Sequence, residues 1–555
     1  MKRTSVSDFS GQTFDLVIIG GGITGACAAR EAALRGLSVA LFEKNDFASG
    51  TSSRSTKLLH GGLRYLQSYE FKLVREACRE RELMLHLAPH LSHPRPFIYV
   101  LYEGYPESMF LLNAGLTIYD LFSGNPLKRR HRMLNARRLL EIEPYLNPSG
   151  LKGGGLYYDF LTDDARFTLD TVKGACEAGA LAANYMRVSG FIYEGGRIRG
   201  VQVTDDLSGE SGEVRARQVI NTAGVWVDEV RFMEQGVRER MLRPSKGVHI
   251  TLRKSDFPLQ HAVFVRSPRD RRVVWPIPAL DEDLVYIGTT DTDYDGSLDH
   301  VVATDDDIDY LLEVANFTIP GRRIGREHIV ATWAGLRPLV RPEGEMAASA
   351  VSREHQIFLS PSGLLNIAGG KLTTARVMGK QVVQRAVELL QENYGLPAPR
   401  PSSSHRVPIS GGSRQAIESA RQALAGLEVP EPVRRRWLDV YGGNAAVLAG
   451  IAEKEPDAAV PFQPAAGGSE HCSFPLTPAE VRYAVQEEMA LTLTDFFARR
   501  ASVFYWTEDG GLGIARQIAV VMGELLGWSA DEQERQIEAY RRWVEANRVK
   551  PVPAV

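Results

Sequence analysis

The sequence predicts three parts: a Rossmann-like α/β domain, an antiparallel sheet inserted into it, and a helical domain at the C-terminal end. Three observations support this prediction. Residues 14–44 read as a buried strand, a glycine turn, a helix and a second strand. Residues 241–288 contain several alternating apolar segments without helices between them. Helical periodicity dominates beyond residues 396–412, a stretch rich in proline, serine and glycine.

The first of these units has the spacing of a dinucleotide-binding motif. A G-x-G-x-x-G pattern at Gly20, Gly22 and Gly25 follows the strand at residues 16–19. Gly20 allows a tight turn, Gly22 lets the backbone approach a pyrophosphate, and Gly25 lets the helix lie close to the strand. Glu43 ends the second strand, where its carboxylate can accept a hydrogen bond from a ribose hydroxyl. The helix N-terminus is then expected to face the phosphates.

Three later segments also indicate a cofactor site. The loop at residues 45–67 begins small and polar and then gathers Lys57, His60, Arg64 and Tyr65, which favours a binding loop over a solvated one. The strand at residues 219–224 ends in small residues that leave room for a cofactor. Residues 364–374 form a third strand-to-helix junction with paired glycines, and its helix start can face a cofactor ring or a substrate anion.

Length and composition restrict the classes of protein. A chain of 555 residues is too long for one hydrophobic core. With 65 basic and 68 acidic residues the net charge is −3, which gives no indication of a nucleic-acid partner. The four cysteines form no C-x-x-C pair, so we expect neither a metal site nor a disulfide framework, and this usage fits a reducing cytosol. We also expect no signal peptide and no membrane-spanning helix.

An apolar segment at residues 108–122 is followed by the basic residues 128–132. One interpretation is a buried helix with a basic, solvated turn after it, and we favour this one. The other interpretation is an interfacial patch that faces anionic lipid.

Motifs along nearly the whole chain resemble those of the FAD-dependent, quinone-linked glycerol-3-phosphate dehydrogenases of aerobic bacteria. The motif-bearing segments are residues 17–67, TDDARF (162–167), NTAGVWV (221–227), SKGVHI (245–250), IGTTDTDY (287–294), WAGLRPLV (333–340), SREH (352–355), GGKLTTAR (369–376) and LTLTDFFARR (491–500). Small departures from the family pattern occur: Thr56 and Leu59 stand where Ser and Ile are usual, and NTAGVW replaces NATGPW.

The resemblance implies a glutathione-reductase-type FAD-binding domain. The FAD-dependent region would occupy residues 1–395, with FAD-binding segments at about 14–75, 155–230 and 330–395 and a substrate-binding sheet mainly at 231–330. A linker at 396–412 and a C-terminal helical domain at 413–555 would follow.

The same resemblance implies that sn-glycerol 3-phosphate is oxidised to dihydroxyacetone phosphate in glycerol catabolism. Hydride would go to flavin N5 and electrons to membrane quinone. The protein would be cytoplasmic and peripheral on the inner face of the cell membrane, in contact with anionic lipid. The resemblance leaves the oligomeric state undecided, with a homodimer as one option.

Site residues follow from the motifs and from the chemistry of a phosphate dianion, which requires guanidinium or ammonium groups. The residues expected to contact substrate are Arg64, Tyr65, Arg337, Arg353, Lys371 and Thr374. The residues expected to contact the cofactor are Gly20, Gly22, Thr24, Gly25, Glu43, Thr51, Ser52, Ser53, Lys57, His60, Gly61, Gly62, Leu63, Ala223, Gly224, Trp226, Gly335, Gly370, Lys371, Leu372 and Thr373.

Catalytic roles are expected for His60, His249, Arg337 and Lys371. Removal of the hydroxyl proton needs a base that titrates near neutrality, which suits histidine. We favour His60 as this base, because it lies in the loop beside the nucleotide motif. His249, between two apolar residues of a strand, would be a substrate-positioning residue, an alternative base or a structural histidine.

Four alternatives share parts of this pattern. A glycerol-3-phosphate oxidase would use oxygen on the same fold, although such oxidases carry a longer middle section. An amino-acid oxidase would have less need of the basic cluster. A redox-silent FAD-binding scaffold would not need His60, Arg337 and Lys371. An NAD-dependent dehydrogenase fits the loop after Glu43 and the third glycine junction least well.

Overall fold

A computed structural model describes residues 1, 3–124, 126–234, 236–280, 283–341, 354–464 and 474–549. The strands are β1 (Thr13–Ile19), β2 (Val39–Phe42), β3 (Leu58–Leu59), β4 (His93–Tyr102), β5 (Arg132–Asn135), β6 (Leu151–Leu161), β7 (Leu181–Ala183), β8 (Met186–Glu194), β9 (Arg197–Asp205), β10 (Ser211–Asn221), β11 (Ser245–Arg253), β12 (Ala262–Arg266), β13 (Val273–Pro278), β14 (Leu284–Gly288), β15 (Thr292–Asp293), β16 (Ile329–Arg337), β17 (Gln356–Leu359) and β18 (Leu365–Ala368).

The α-helices are α1 (Val6–Phe9), α2 (Ile23–Leu34), α3 (Phe71–Leu87), α4 (Met109–Ser123), α5 (Ala136–Ile142), α6 (Asp164–Glu177), α7 (Val227–Phe232), α8 (Asp305–Thr318), α9 (Ala375–Tyr394), α10 (Arg414–Ala425), α11 (Glu431–Tyr441), α12 (Ala445–Lys454), α13 (Pro478–Glu488), α14 (Leu493–Asp495), α15 (Ala515–Leu526) and α16 (Ala530–Ala546). A π-helical turn, Phe496–Arg500, continues α14.

The first sheet has the order β17-β18-β10-β1-β2-β7, and β8 and β9 extend it beside β10. Its central pairs, from β18 through β10, β1 and β2 to β7, are parallel. The apolar faces of α2, α6 and α9 share one hydrophobic core with this sheet. The sheet is buried and parallel because helices connect and cover its strands, and this confirms the predicted Rossmann-like part.

The second sheet has the order β15-β11-β14-β13-β12-β4-β6-β3, with β16 beside β11 and β5 beside β6. It includes the expected strands of residues 231–330, but β3, β4, β5 and β6 come from residues 58–161. Neither β4 nor β6 has the sequence pattern of a strand. In β4, Pro94 and Pro96 interrupt the alternation of apolar and polar residues, and in β6 the three consecutive glycines Gly153–Gly155 do so. These glycines let the neighbouring strands approach closely, since a Cβ on Gly154 would lie 2.4 Å from the Tyr99 carbonyl oxygen of β4.

The helical C-terminal part packs directly against the second sheet. Phe496, Phe504 and Ile518 belong to the same core as Ile250 of β11 and Trp333 of β16. The shared core joins the two parts through buried apolar contact, so the C-terminal helices are not an independent appendage.

Helix α4 has two apolar faces. Leu112, Leu116 and Tyr119 are buried, whereas Phe110 is 82% exposed and Leu121 is 74% exposed. The favoured prediction of a buried helix is therefore wrong for one face. Among the described residues, no helix is both long enough and apolar enough to cross a membrane.

Candidate active site

A cavity of about 660 Å³ is lined by residues of both sheets. It extends from the glycine turn after β1 to the loop that carries His60. The predicted site residues that line it are Gly20, Gly22, Thr24, Glu43, Thr51, Ser52, His60, Arg64, Tyr65, Ala223, Gly224, Trp226, Arg337, Gly370, Lys371, Leu372 and Thr373. Segments that are far apart in sequence therefore converge on one site.

The glycine turn forms one end of the cavity. Gly20 has φ +106°, in the left-handed region that favours glycine. A Cβ on Gly25 would lie 1.9 Å from the Gly20 carbonyl oxygen, so only glycine allows α2 to pack this closely. The Ile23 N–H at the start of α2 donates to Ser52 Oγ at 2.9 Å, which joins the helix start to the loop at residues 49–53.

Glu43 closes the glycine turn from the end of β2. Its carboxylate accepts the N–H of Gly21 at 2.7 Å and the N–H of Asn45 at 2.9 Å. Burial raises the pKa of this carboxyl. Each carboxylate oxygen can accept a further hydrogen bond, so Glu43 can hold both the turn and a ribose hydroxyl.

The other end of the cavity is built around His60. Its backbone N–H donates to Thr373 Oγ1 at 3.0 Å, and the next N–H, of Gly61, donates to the Tyr119 hydroxyl at 2.7 Å. Burial, followed by the charges of Lys371 and Arg64, lowers the pKa of His60 from 6.5 to about 3. The imidazole is therefore neutral at physiological pH and keeps a free lone pair, but in this ligand-free site it is a weaker base than the expected histidine that titrates near neutrality.

Cationic side chains lie beside this imidazole. Arg64 donates to the Tyr65 hydroxyl at 3.0 Å, and the Lys371 ammonium lies 3.7 Å from the centre of the Tyr65 ring. Tyr65 thus holds two cations through its hydroxyl and its π face.

Arg337, at the end of β16, is another cation of the cavity wall. Its guanidinium lies 3.1 Å from Asp291 Oδ1 and donates to Thr289 Oγ1 at 3.1 Å. Because Arg337 is anchored on one side by these residues, its orientation is fixed before any ligand binds.

His249 is placed differently from His60. It is buried, its ring stacks on Trp333 with centroids 4.6 Å apart, and Nε2 lies 3.0 Å from Thr56 Oγ1. Burial and the nearby Arg337 hold its pKa well below the ordinary value. His249 does not line the cavity in the described residues, whereas Thr56 does, so His249 reaches the cavity through the threonine hydroxyl.

Lys57 forms a buried ion pair rather than part of the cavity wall. Its Nζ lies 2.6 Å from Asp164 Oδ1, and the other oxygen of Asp164 accepts from the Ser55 N–H and hydroxyl. Lys57 and Asp164 therefore fix the shape of the binding loop from behind.

The remaining predicted residues lie behind the cavity wall. A Cβ on Gly335 would lie 2.6 Å from the Arg54 carbonyl oxygen, which gives this glycine a packing role. Gly25, Ser53, Gly61, Gly62, Leu63 and Thr374 are likewise absent from the described wall. Arg353 lies outside the described residues.

Sequence reasoning missed several residues of the site. Thr56, Trp275 and Asp291 line the cavity. Beneath the His60 loop, Arg81 Nη1 and the Tyr119 hydroxyl both donate to Asp159 Oδ1, at 2.5 and 2.6 Å. The spacing of these residues along the chain carries no signal, because α3, α4 and β6 meet only in the folded protein. Fully buried charge at Arg81 is the feature that identifies them.

Comparison with known families assigns both parts of the chain. The family model described as FAD dependent oxidoreductase matches residues 15–385. A second one, described as the C-terminal domain of alpha-glycerophosphate oxidase, matches residues 402–533.

Individual relatives match over nearly the full length. The aerobic glycerol-3-phosphate dehydrogenase of Staphylococcus saprophyticus is 38% identical over 544 residues, which cover 96% of this chain and 95% of that protein. The chain belongs to the aerobic glycerol-3-phosphate dehydrogenase family. The glycerol-3-phosphate dehydrogenase of Bacillus halodurans, solved in complex with FAD, superposes with a TM-score of 0.80 at 33% identity over 99% of this chain and 98% of that one. The family assignment confirms the resemblance drawn from the motifs.

More distant structures share the fold alone. Glycine oxidase from Geobacillus kaustophilus has a TM-score of 0.51 at 23% identity and covers 67% of this chain and 95% of its own.

The cofactor of this glycerol-3-phosphate dehydrogenase family member is FAD, as predicted. The residues present fit it. The left-handed Gly20 and the start of α2 suit a pyrophosphate, and Glu43 suits a ribose. At the far end, the left-handed glycines Gly369 and Gly370 leave the cavity wall free of side chains next to Lys371.

Proposed function

We propose that this protein oxidises sn-glycerol 3-phosphate at C2 to dihydroxyacetone phosphate and passes the electrons to a membrane quinone. The observation that carries the proposal is that the neutral imidazole of His60 lines the same cavity as the cationic side chains of Arg64, Arg337 and Lys371. A phosphomonoester alcohol needs both features. The full-length relatives named aerobic glycerol-3-phosphate dehydrogenase support the same substrate.

The cations would bind the phosphate. Charge-assisted hydrogen bonds are stronger than neutral ones, and a guanidinium can grip two phosphate oxygens. Arg64 and Lys371 are both held on Tyr65, so the phosphate would meet a preformed pair of charges. A phosphate dianion carries more negative charge than a carboxylate and matches these cations better, which favours a phosphate ester over an amino acid.

His60 would accept the proton of the substrate hydroxyl. A neutral imidazole has the free lone pair that a base requires, and a bound phosphate dianion would raise its proton affinity by offsetting the nearby cations. FAD, when bound, supplies the hydride acceptor. Hydrogen bonds from the backbone N–H groups of His60 and Gly61 hold the loop in place, so the position of the His60 backbone does not depend on the substrate.

The proposal includes peripheral attachment to the inner face of the cell membrane. Helix α4 exposes Phe110 and Leu121, which lie about three helical turns apart and so on one face. Leu127 is exposed just beyond the helix, and Arg130 and Arg132 are exposed next to it. Apolar side chains beside cations suit a bilayer surface with anionic lipids, where a quinone can be reached.

The runner-up is an oxidase that returns electrons to oxygen. The family model for the C-terminal part bears the name of alpha-glycerophosphate oxidase. The alpha-glycerophosphate oxidase structure of Mycoplasma pneumoniae, however, superposes with a TM-score of only 0.53 at 17% identity. The quinone-linked dehydrogenase is therefore the better-supported function.

An anaerobic titration tests the proposal. The FAD-loaded protein is mixed with sn-glycerol 3-phosphate, with glycerol and with a D-amino acid, and flavin absorbance is followed at about 450 nm. Bleaching by the phosphate ester alone supports the substrate assignment, and bleaching by the amino acid instead contradicts it. Air and a soluble quinone are then added separately; faster return of colour with the quinone supports the dehydrogenase over the oxidase.

A further inference from the structure

The C-terminal helical domain reaches the nucleotide end of the cavity through one carboxylate, that of Asp46. Asp46 follows the turn made by Glu43 and precedes the cavity-lining residues 49–52. It is 1% exposed, although it lies in a loop. A buried aspartate needs partners, because an uncompensated charge in the interior is strongly unfavourable.

The partners of Asp46 are two consecutive arginines of the C-terminal domain. Arg499 Nε donates to Asp46 Oδ2 at 2.5 Å, and Arg500 Nη2 donates to Asp46 Oδ1 at 2.9 Å. Asn184 Nδ2 also donates to Oδ1, at 3.0 Å. The two cations lower the pKa of the Asp46 carboxyl despite its burial, so Asp46 is ionised in the folded protein.

Local helix geometry brings both arginines to the same carboxylate. They end the π-helical turn Phe496–Arg500, a wider turn than an α-helical one and one that often occurs at functional sites. The second arm of Arg499 donates to Asp495 Oδ1 at 2.6 Å, and Asp495 accepts from the Tyr185 hydroxyl at 2.7 Å. These charges are thus paired within one network that spans both domains.

Asp46 is joined in turn to the glycine loop of the cofactor site. The Ala48 N–H donates to the Gly21 carbonyl oxygen at 3.2 Å. Phe47 is fully buried and packs against Gly21. A Cβ on Gly21 would lie 2.5 Å from the Phe47 ring, so the two residues are in close contact. Residues 46–48 therefore form a bridge from the arginine pair to the turn that faces the pyrophosphate.

We propose that Arg499 and Arg500 are positioning residues for FAD: by holding Asp46, the C-terminal domain fixes the glycine loop and sets the affinity for the cofactor. The inference gives the LTLTDFFARR segment a role at the nucleotide, although the segment does not line the cavity. The C-terminal domain would then be part of the cofactor site and not only a support for the second sheet.

Asp46→Asn tests the proposal, because it keeps the shape of the side chain and removes the charge. The dissociation constant for FAD is measured on cofactor-depleted full-length protein by flavin fluorescence. We expect it to rise about tenfold or more, the usual scale for losing a partner that orients a binding group. The measurement does not involve the substrate, so its outcome is separate from that of the proposed activity.

Glu480→Gln is the matched control. Glu480 is a fully buried carboxylate of the C-terminal domain, paired with Arg436 at 2.9 Å, and it does not line the cavity. We expect this variant to lower the unfolding temperature and to leave the FAD dissociation constant within about twofold. Equal changes of the dissociation constant in the two variants would overturn the proposal.

Arg499→Lys covers the case in which Asp46→Asn does not fold. Lysine keeps one positive charge but cannot hold Asp46 and Asp495 together with a planar fork. We expect weaker FAD binding here too, with the unfolding temperature of the cofactor-free protein close to that of Glu480→Gln. FAD affinity equal to wild type would contradict the positioning role.

Discussion

The backbone N–H of Gly61 donates a hydrogen bond to the Tyr119 hydroxyl at 2.7 Å. Tyr119 is fully buried on α4, and its hydroxyl donates to Asp159, which Arg81 also holds. A side chain at position 61 would collide with the Tyr119 hydroxyl, since a Cβ would lie 2.5 Å from it. The loop that carries His60 is therefore supported by a buried polar network. Tyr119 of that network lies on α4, the helix that also exposes Phe110 and Leu121.

Tyr119→Phe should slow the anaerobic bleaching of the flavin by about tenfold, because small displacements of a catalytic group are costly. The substitution removes one hydroxyl and keeps the ring, so the apolar packing of α4 stays intact. Tyr102→Phe is the control: Tyr102 is also buried, and its hydroxyl donates to the Asn147 carbonyl oxygen, away from the cavity. An equal loss of rate in both variants would mean that Tyr119 only stabilises the fold.

Lys371→Met should raise the KM for sn-glycerol 3-phosphate by about 10- to 100-fold, the scale of a charge-assisted hydrogen bond. The Lys371 ammonium on Tyr65 is part of the proposed phosphate site. Lys246→Met removes a lysine that is paired with Asp307 and lies outside the cavity wall, and it should leave KM nearly unchanged. The KM of each variant is measured by steady-state kinetics with a dye acceptor. An unchanged KM in Lys371→Met would show that Lys371 does not bind the phosphate.

The depressed pKa of His60 makes stability depend on pH. Below pH 6.5 the unfolded chain binds a proton at this histidine, whereas the folded protein does so only near pH 3. The contribution of His60 to the free energy of unfolding is therefore present above pH 6.5 and is lost as the pH falls toward 3.

His60→Asn should remove this pH dependence. Between pH 6.5 and 5, the free energy of unfolding of the wild type should fall relative to that of the variant by at most about 1.4 kcal/mol per pH unit. Urea denaturation at several pH values measures the difference. A constant difference across this range would show that His60 titrates alike in the folded and unfolded states.

Phe110→Ser with Leu121→Ser should weaken binding to vesicles that contain anionic lipid, as measured by flotation. Arg130→Gln with Arg132→Gln should do so by about 1 kcal/mol per charge, and more at low salt than at high salt. Arg129→Gln serves as the control, because Arg129 donates to Glu82 at 2.8 Å. If all these variants float like the wild type, α4 is not the membrane contact.

The sequence predicted the parts of the site that depend on local chain geometry. Gly20, Gly25 and Glu43 lie within one strand–turn–helix–strand unit, where spacing alone determines their positions.

Residues whose roles depend on partners far along the chain could not be placed in this way. Lys57 looks like a cavity residue until Asp164 pairs with it, and Tyr119 meets Gly61 across 58 residues. Likewise, the exposed face of α4 depends on how that helix packs, because its apolar composition fits both burial and membrane contact.

The most direct test of the account compares the two histidines. The anaerobic rate of flavin bleaching by saturating sn-glycerol 3-phosphate is measured by stopped flow for wild type, His60→Asn and His249→Asn. We expect a loss of about 10²- to 10⁴-fold for His60→Asn, the range for a general base, and a much smaller loss for His249→Asn, because His249 reaches the cavity through the Thr56 hydroxyl. A near-wild-type rate in His60→Asn, together with a large loss in His249→Asn, would show that His60 is not the base.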